Sequence, residues 1–263
     1  MDLKLKGKWA LVTGSTQGIG FAIARGLARE GAEVVLNGRT DTKVGEAVKR
    51  IAGETSAAVT GIAGDVGNAA EVNRLVEQLG PVDILINNAG IFEPKPFLDV
   101  PDEDWLRFFE VNVMSGVRLS RALLPHMLKQ NWGRIIFISS ESGLNIPPEM
   151  VHYGMTKTAQ LAISRGIAES VAGTGITVNA VLPGPTRTEG VVAFLEKMAR
   201  ERGVDVKAME AEVIKTLRPS TLIKRWAEPE EVANPVVYLC SEAASATTGS
   251  ALRVDGGVVR SIG

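Results

Sequence analysis

The sequence predicts an α/β protein: a doubly wound parallel sheet of about seven strands, in one domain spanning residues 1–263. Three observations carry that expectation. Short β-branched runs alternate with longer helical stretches from end to end. The runs are apolar on both faces, as strands covered by helices on each side must be. No linker, short-period repeat or low-complexity tract interrupts the alternation.

The expected strands are 9–14 (WALVTG), 33–37 (EVVLN), 57–64 (AAVTGIAG), 82–90 (VDILINNAG), 134–140 (RIIFISS), 176–184 (ITVNAVLPG) and 251–257 (ALRVDGG). Most run into Gly, Asn or Ser where a turn is needed. Helical patterns fill the intervals at 18–30, 42–52, 69–79, 102–129, 152–171 and 229–241. The segment 186–226 departs from this rhythm. It holds GVVAFLEKMARERG and VKAMEAEVIKTL with no strand between, and Val191, Phe194, Leu195 and Met198 fall at helical spacing. A helical substrate lid set before the last helix is one reading; an extra pair of packing helices is the other.

Composition narrows the functional classes. Apolar residues make up 45% and charged residues 22%, enough for a large core. The formal charge is −1 with no strongly basic stretch, which argues against nucleic acid or an anionic membrane as partner. No run of about 18 apolar residues occurs, and the N-terminal stretch lacks an unbroken apolar signal core. The single cysteine, Cys240, lies in VVYLC and reads as a buried structural thiol. A cytoplasmic location is the expectation. His126 and His152 lack partners at metal-ligand spacing, so no metal site is expected.

After the first strand come Gly14, Ser15, Thr16, Gln17, Gly18, Ile19 and Gly20, followed at once by helix. Glycines there let the backbone turn sharply and approach a ligand closely. The helix N-terminus then presents unpaired N–H groups and partial positive charge to a pyrophosphate. Plain packing of a strand against a helix also uses such turns, and the spacing G-x-x-x-G-x-G differs from the G-x-G-x-x-G dinucleotide fingerprint. The second strand ends in Gly38-Arg39, where an acidic residue would accept the ribose hydroxyls of NAD. An arginine fork suits a 2′-phosphate, so NADP(H) is expected ahead of NAD(H).

The chain has two tyrosines, and Tyr153 stands four residues before Lys157. On a helix these side chains are neighbours, either as a surface pair or as a phenol beside an ammonium. Ser140 ends a buried strand at the sheet edge where ligands of open α/β sheets collect. Asn112 interrupts a helical pattern that it disfavours, a cost unless its amide is used.

In order along the chain, these motifs resemble the short-chain dehydrogenase/reductase family, and the resemblance covers nearly all of it. The carrying motifs are Thr13–Gly20, GDV at 64–66, NNAG at 87–90, Asn112 in VNVMSG and GRIIFISS ending at Ser140. They continue with Tyr153-x-x-x-Lys157, NAVLPGPTRT at 179–188 and VDGG near the C-terminus. The resemblance implies a Rossmann-type fold and an NAD(P)-dependent oxidoreductase of alcohols and carbonyls. It makes Ser140, Tyr153 and Lys157 the catalytic core, with Asn112 anchoring a water in the proton relay. Asp65 and Val66 would hold the adenine, and Asn87, Ala89 and Gly90 would pack beside the adenosine ribose. Lys157 would bind the nicotinamide ribose, while Pro183, Gly184, Thr186 and Thr188 would receive the nicotinamide amide. Thr186 stands where the family often has an aliphatic residue, and Pro185 replaces a common bulky one. A homo-oligomer, tetramer or dimer, is also implied. The small face Met155, Ala159, Ala162 and Gly166 would permit close helix approach between subunits or within one.

The chemistry expected is reversible hydride transfer between NADP(H) and a carbonyl or secondary alcohol, with Tyr153 as general acid and base. A phenol titrates near pH 10, and lowering that by about three units demands about 4 kcal/mol of preference for phenolate. Lys157 and an oxidised nicotinamide ring are the cations expected to supply it. Ser140, Tyr153 and Glu141 would face the substrate, with Glu141 either adding polarity or pointing away. Ile91, Phe92, Leu144, Ile146, Pro147, Pro148, Met150 and Val151 lie around the expected mouth, with Val192, Phe194 and Leu195 from the insertion. That set favours an apolar or amphipathic carbonyl compound. The competing functions are a catalytically silent NADP(H)-binding sensor, an NAD(H)-dependent alcohol dehydrogenase and a nucleotide-sugar epimerase. The last would need a sugar-nucleotide region for which the chain leaves little room.

Overall fold

The first strand of the chain ends up in the middle of the sheet. In the computed structural model, which describes residues 2–262, β1 (Trp9–Val12) pairs with β2 (Glu33–Gly38) on one side and β4 (Ile84–Asn87) on the other. β3 (Val59–Ala63) lies outside β2, while β5 (Gly133–Ile138), β6 (Ile176–Pro183) and β7 (Ala251–Val254) extend the other side. The order is β3-β2-β1-β4-β5-β6-β7, and all ladders are parallel. The winding therefore reverses between β1 and β4. Successive crossovers leave in opposite directions there, which opens a crevice at the carboxyl ends of the strands.

Seven strands meet the expectation; the five inner ones are buried on both faces and need a helical cover on each, while the edge strands β3 and β7 are half exposed. On one face Ile23, Leu27, Ile51, Val232 and Val236 pack over the sheet from α1 (Gly18–Arg29), α2 (Asp41–Ala52) and α9 (Pro229–Leu239). On the other, Leu75, Leu119, Leu123 and Met127 come from α3 (Ala69–Gln78) and α5 (Ser115–Gln130). Leu161, Ile163 and Ile167 of α6 (Val151–Ser170) join that second cluster. Helices α1 and α9 approach closely because residue 26 is glycine. A Cβ there would come within 2.9 Å of Val237.

One helix differs from its expected form. The stretch 102–129 forms α4 (Asp102–Phe109), a π-helical turn over Glu110–Met114, and then α5. Asn112 sits in that turn. A π turn widens the spiral by one residue and releases backbone groups from the i to i+4 ladder, an arrangement found often at functional sites.

The insertion before the last helix is a helix pair, α7 (Glu189–Arg202) and α8 (Val206–Leu217). It has a small core of its own, Leu195, Ala199 and Met209, flanked by Val191, Met198, Val213 and Trp226. Its two ends meet. Thr186 and Ala227 form a parallel bridge, with Arg187 N–H donating to the Ala227 carbonyl (2.8 Å) and Ala227 N–H to that of Pro185 (2.8 Å). Among the described residues, no helix is long and apolar enough to cross a membrane.

Candidate active site

The glycine loop is held from below by an amide that sequence reasoning passed over. Gly14 and Gly18 take positive φ angles of 60° and 61°, which side chains disfavour. The Asn88 side chain donates to the carbonyls of Thr13 (2.8 Å) and Gly14 (3.0 Å), and a Cβ on Gly20 would fall on that amide and on the Gly14 carbonyl. Thr13 closes the ring. Its hydroxyl accepts the N–H groups of Asn88 and Ala89, each at 3.0 Å. Ser15 is fully buried, its hydroxyl donating to the Val12 carbonyl (2.7 Å) and accepting from Asn37 N–H (3.0 Å). Both groups are spent on shaping the loop. The signal for Asn88 was present in NNAG, but its partner lies some seventy residues away and only the β1–β4 pairing brings them together.

Whether this loop suits a dinucleotide can be tested on its own contacts. Helix α1 has no capping side chain at Gln17 and no acidic residue in its first turn. The Gly18 N–H instead donates to the carboxylate of Glu189 (2.8 Å), which reaches over from the start of α7. An anion is thus already drawn to the point where a helix N-terminus favours phosphate. The loop fits the pyrophosphate of a nicotinamide dinucleotide. Arg39 is exposed at the end of β2 and opens, with Asp41, Gly64, Glu71 and Arg74, onto a polar cavity of about 270 Å³. Asp65 and Val66 stand beside that cavity at the end of β3. The Asp65 carboxylate accepts from Gly67 N–H (2.9 Å), its backbone N–H donates to Glu71 (2.6 Å), and Val66 is buried. Asn87 points away from this loop into the core, its amide donating to Ser120 (3.2 Å).

The other side of the crevice carries the candidate catalytic groups. Lys157, on α6, is buried and donates to the Ile138 carbonyl (2.9 Å) and to Gln160 (3.3 Å). Burial drives its ammonium down to about pH 7. Its nitrogen lies 5.6 Å from the centre of the Tyr153 ring. The Ser140 hydroxyl accepts from Ser142 N–H (3.1 Å) and lies close enough to the Tyr153 phenol to favour its ionised form. The loop after β5 is fastened to α6 by Ser139, whose hydroxyl donates to the Lys157 carbonyl (2.8 Å), and by Thr158, which donates to the Gly143 carbonyl (2.9 Å). Those two ties set Ser140 against Tyr153.

Asn112 uses every group it has. Its side chain accepts from Ile91 N–H (2.8 Å) and donates to the Ile91 carbonyl (3.0 Å) and to Thr156 (3.0 Å). Its backbone carbonyl, exposed by the π turn, accepts from Gln160 (2.6 Å). Gly90 lies between these groups, since a Cβ there would stand 3.3 Å from the Asn112 amide oxygen and 3.6 Å from the Lys157 nitrogen. Ala89 and Gly90 therefore line the crevice between the glycine loop and Lys157. On the far side, Gly184 packs on the Asp255 backbone and donates to the Val254 carbonyl (3.1 Å). The Thr186 hydroxyl donates to the Gly184 carbonyl (2.9 Å), and Thr188 caps α7. Pro183 ends β6 at the same edge.

Two features depart from expectation. The Tyr153 phenol is pushed up to about 12, chiefly by burial, with the Glu141 charge adding to the rise; the nearby Ser140 hydroxyl and Arg218 offset part of it. The expectation was a phenol lowered by Lys157 together with an oxidised nicotinamide ring. With its own value lowered to about 7, the Lys157 amine is uncharged at the pH where the phenol ionises, so burial prevails. Glu141, expected near substrate, is buried, with its carboxylate held by the Arg218 guanidinium (2.6 Å) and the Ser142 hydroxyl. Among the described residues, no group of His, Cys, Asp and Glu could hold a metal ion.

A family model described as enoyl-(acyl carrier protein) reductase matches residues 14–259. The chain is 49% identical over the full length of both proteins to the uncharacterized oxidoreductase YvaG of Bacillus subtilis. It is 38% identical to dehydrogenase/reductase SDR family member 4 of Bos taurus, over 96% of this chain and 88% of that one. Among solved structures it resembles L-sorbose reductase from Gluconobacter frateurii complexed with NADPH and L-sorbose, with a TM-score of 0.95, 36% identity and complete coverage of both chains. The seven-stranded parallel sheet, the glycine loop at its switch point and these relatives agree: the chain belongs to the short-chain dehydrogenase/reductase family and is an NAD(P)-dependent oxidoreductase of CH–OH and C=O groups.

Proposed function

We propose that the protein is an NADP(H)-linked carbonyl reductase, or in reverse a secondary-alcohol dehydrogenase, with Tyr153 as its general acid and base. The observation that carries this is the convergence of Ser140, Tyr153 and Lys157 at the end of β5, across a crevice from the glycine loop. Gly14 to Gly20 would hold the pyrophosphate, Lys157 and Gly90 the neighbouring ribose, and Gly184, Thr186 and Thr188 the nicotinamide end. When bound, the dinucleotide supplies or accepts the hydride at the substrate carbon. Ser140 donates a hydrogen bond to the substrate oxygen, and Tyr153 gives that oxygen its proton. Because the phenol sits above its free value in the protein alone, it is held protonated, ready for the reductive direction. Ionising it for the oxidative direction needs positive charge beyond that of Lys157.

Arg39 supports NADP(H) over NAD(H), since it stands exposed at the end of β2 beside the polar cavity. Phe92, Leu144, Ile146 and Phe194 stay exposed on the loops and insertion around the site, which supports an apolar or amphipathic carbonyl substrate and a lid role for 186–226. Leu195 serves the insertion's own core instead. An apolar groove of about 490 Å³ on α5 and α6, lined by Val117, Leu124, Leu128, Ile163, Gly166 and Ile167, supports a homo-oligomer built on that face. A buried, unreactive Cys240 suits a cytoplasmic enzyme.

The test is Tyr153→Phe. Turnover of a ketone panel with NADPH should fall by about a hundredfold to ten-thousandfold while dinucleotide binding persists. Near-normal turnover would remove Tyr153 from the chemistry, and no turnover by the wild-type protein across a broad panel would favour the sensor reading. Arg39→Ala tests the cofactor: NADPH affinity should drop by roughly tenfold or more, with NADH affinity unchanged.

A further inference from the structure

Arg218 directly follows α8, far along the chain, yet its side chain reaches the loop after β5. Its Nε donates to Glu141 (2.6 Å), and its Nη1 donates both to Glu149 (3.2 Å) and to its neighbour's carbonyl at Leu217 (2.8 Å). The Arg218 side chain is 13% exposed and that of Glu141 is 4% exposed, so this is no solvated surface pair. Glu141 directly follows Ser140. Glu149 lies in the short turn Pro148–Met150 that leads into α6 and so to Tyr153. The backbone carbonyl of Glu149 also accepts from Lys95 N–H (2.9 Å), which ties in the loop after β4. One guanidinium therefore joins the insertion to the two segments that carry Ser140 and the proposed acid.

We infer that Arg218 is a positioning residue: it clamps the insertion onto the Ser140 loop and the entrance of α6, and it screens the Tyr153 phenol from the Glu141 carboxylate. This rests on the proposed role of Tyr153. Around that phenol, Ser140 stands at the end of β5, Lys157 lies on its own helix, and the buried Glu141–Arg218 pair sits beside Ser140, with Glu149 on the other side of Arg218. His152 turns the other way, onto Phe108 and Trp105. Glu141 disfavours phenolate and Arg218 favours it. Two carboxylates share one cation, so removing the cation leaves buried negative charge beside the phenol.

The chain's only tyrosines are Tyr153 and Tyr238, so ionisation can be read without any substrate. In a Tyr238→Phe background, carrying ζ-carbon-labelled tyrosine and saturated with NADP⁺, NMR follows the Tyr153 phenol alone as pH is raised. Arg218→Ala should raise its midpoint by about one pH unit or more, and adding Glu141→Gln should bring it back toward the wild-type position. Arg218→Lys should fall between. A purely structural clamp would not be rescued by the second substitution. If Arg218→Ala does not fold, Glu141→Gln alone still decides, because it should lower the midpoint. An unmoved midpoint in either single variant overturns the inference. The readout is ionisation rather than turnover, so it stays separate from the Tyr153→Phe test of the catalytic reading.

Discussion

The two walls of the crevice are held by different forces. The dinucleotide wall is built from backbone and short side chains: Thr13, Asn88 and Ser15 spend their polar groups on the glycine loop, above a continuous apolar core. The insertion wall rests on a small core of three residues, on two largely exposed ion pairs, Arg187 with Glu210 (3.0 Å) and Arg202 with Glu212 (2.7 Å), and on one buried tie, Arg218 with Glu141 and Glu149. Short buried hydrogen bonds define a geometry closely and ignore salt, whereas exposed pairs are weak and screened. The lesson is a division of labour. On the proposed reading, the dinucleotide side is firmly built because every dinucleotide presents the same phosphates, and the insertion is tied more loosely, as the proposed lid role requires.

The largest expected effect breaks the rigid wall. Gly20→Val would drive a side chain onto the Asn88 amide and the Gly14 carbonyl. Dinucleotide binding measured by calorimetry should become undetectable while far-ultraviolet dichroism shows a folded sheet. Retained affinity would mean that the loop adapts and the contrast with the insertion is false.

An intermediate effect concerns Lys157, which lies between the walls. Its folded value of about 7 lies below its ordinary value of 10.5, so the folded state binds fewer protons across that window. Stability from this group therefore rises as pH increases from 7 to 10.5, and below pH 7 the full cost of burying the ammonium is felt. Lys157→Met should raise the melting temperature of the dinucleotide-free protein at pH 6.5 and lose that advantage by pH 10. An equal gain at both pH values would show that packing, not the charge, is responsible.

The smallest effect sharpens the comparison, because it asks how far the insertion reaches into the rigid wall. Glu189 from α7 holds the Gly18 N–H that a phosphate would use. Glu189→Gln should tighten dinucleotide binding by about twofold to fivefold at low salt, the size of a charge effect at a helix terminus. Unchanged or weaker binding would show that the two do not compete.

The same division explains what could be read from the chain alone. The seven strands and their covering helices were legible because doubly buried strands and amphipathic helices leave local patterns. The glycine loop, Ser140 and the Tyr153–Lys157 pair were legible because their spacing is itself the geometry. Asn112 left half a signal: a poor helix former in a helical stretch marked something unusual, but nothing local announced a π turn. Glu189 and Arg218 left none. Each acts on a partner 171 or 77 positions away, and an exposed-looking charge in an amphipathic helix reads as solvated until the fold brings its partner near.

The bridge between Thr186 and Ala227 carries a consequence for how such a protein changes. Because both roots of the helical pair emerge from one point beside β6, the stretch between them can be exchanged for another of different length with little entropic penalty and no disturbance of the sheet. On the proposed lid role, new substrate preferences are reachable by grafting, with Ser140, Tyr153 and Lys157 left in place. A graft that brings no arginine would strand the Glu141 carboxylate, so residue 141 and the transplanted helices must change together.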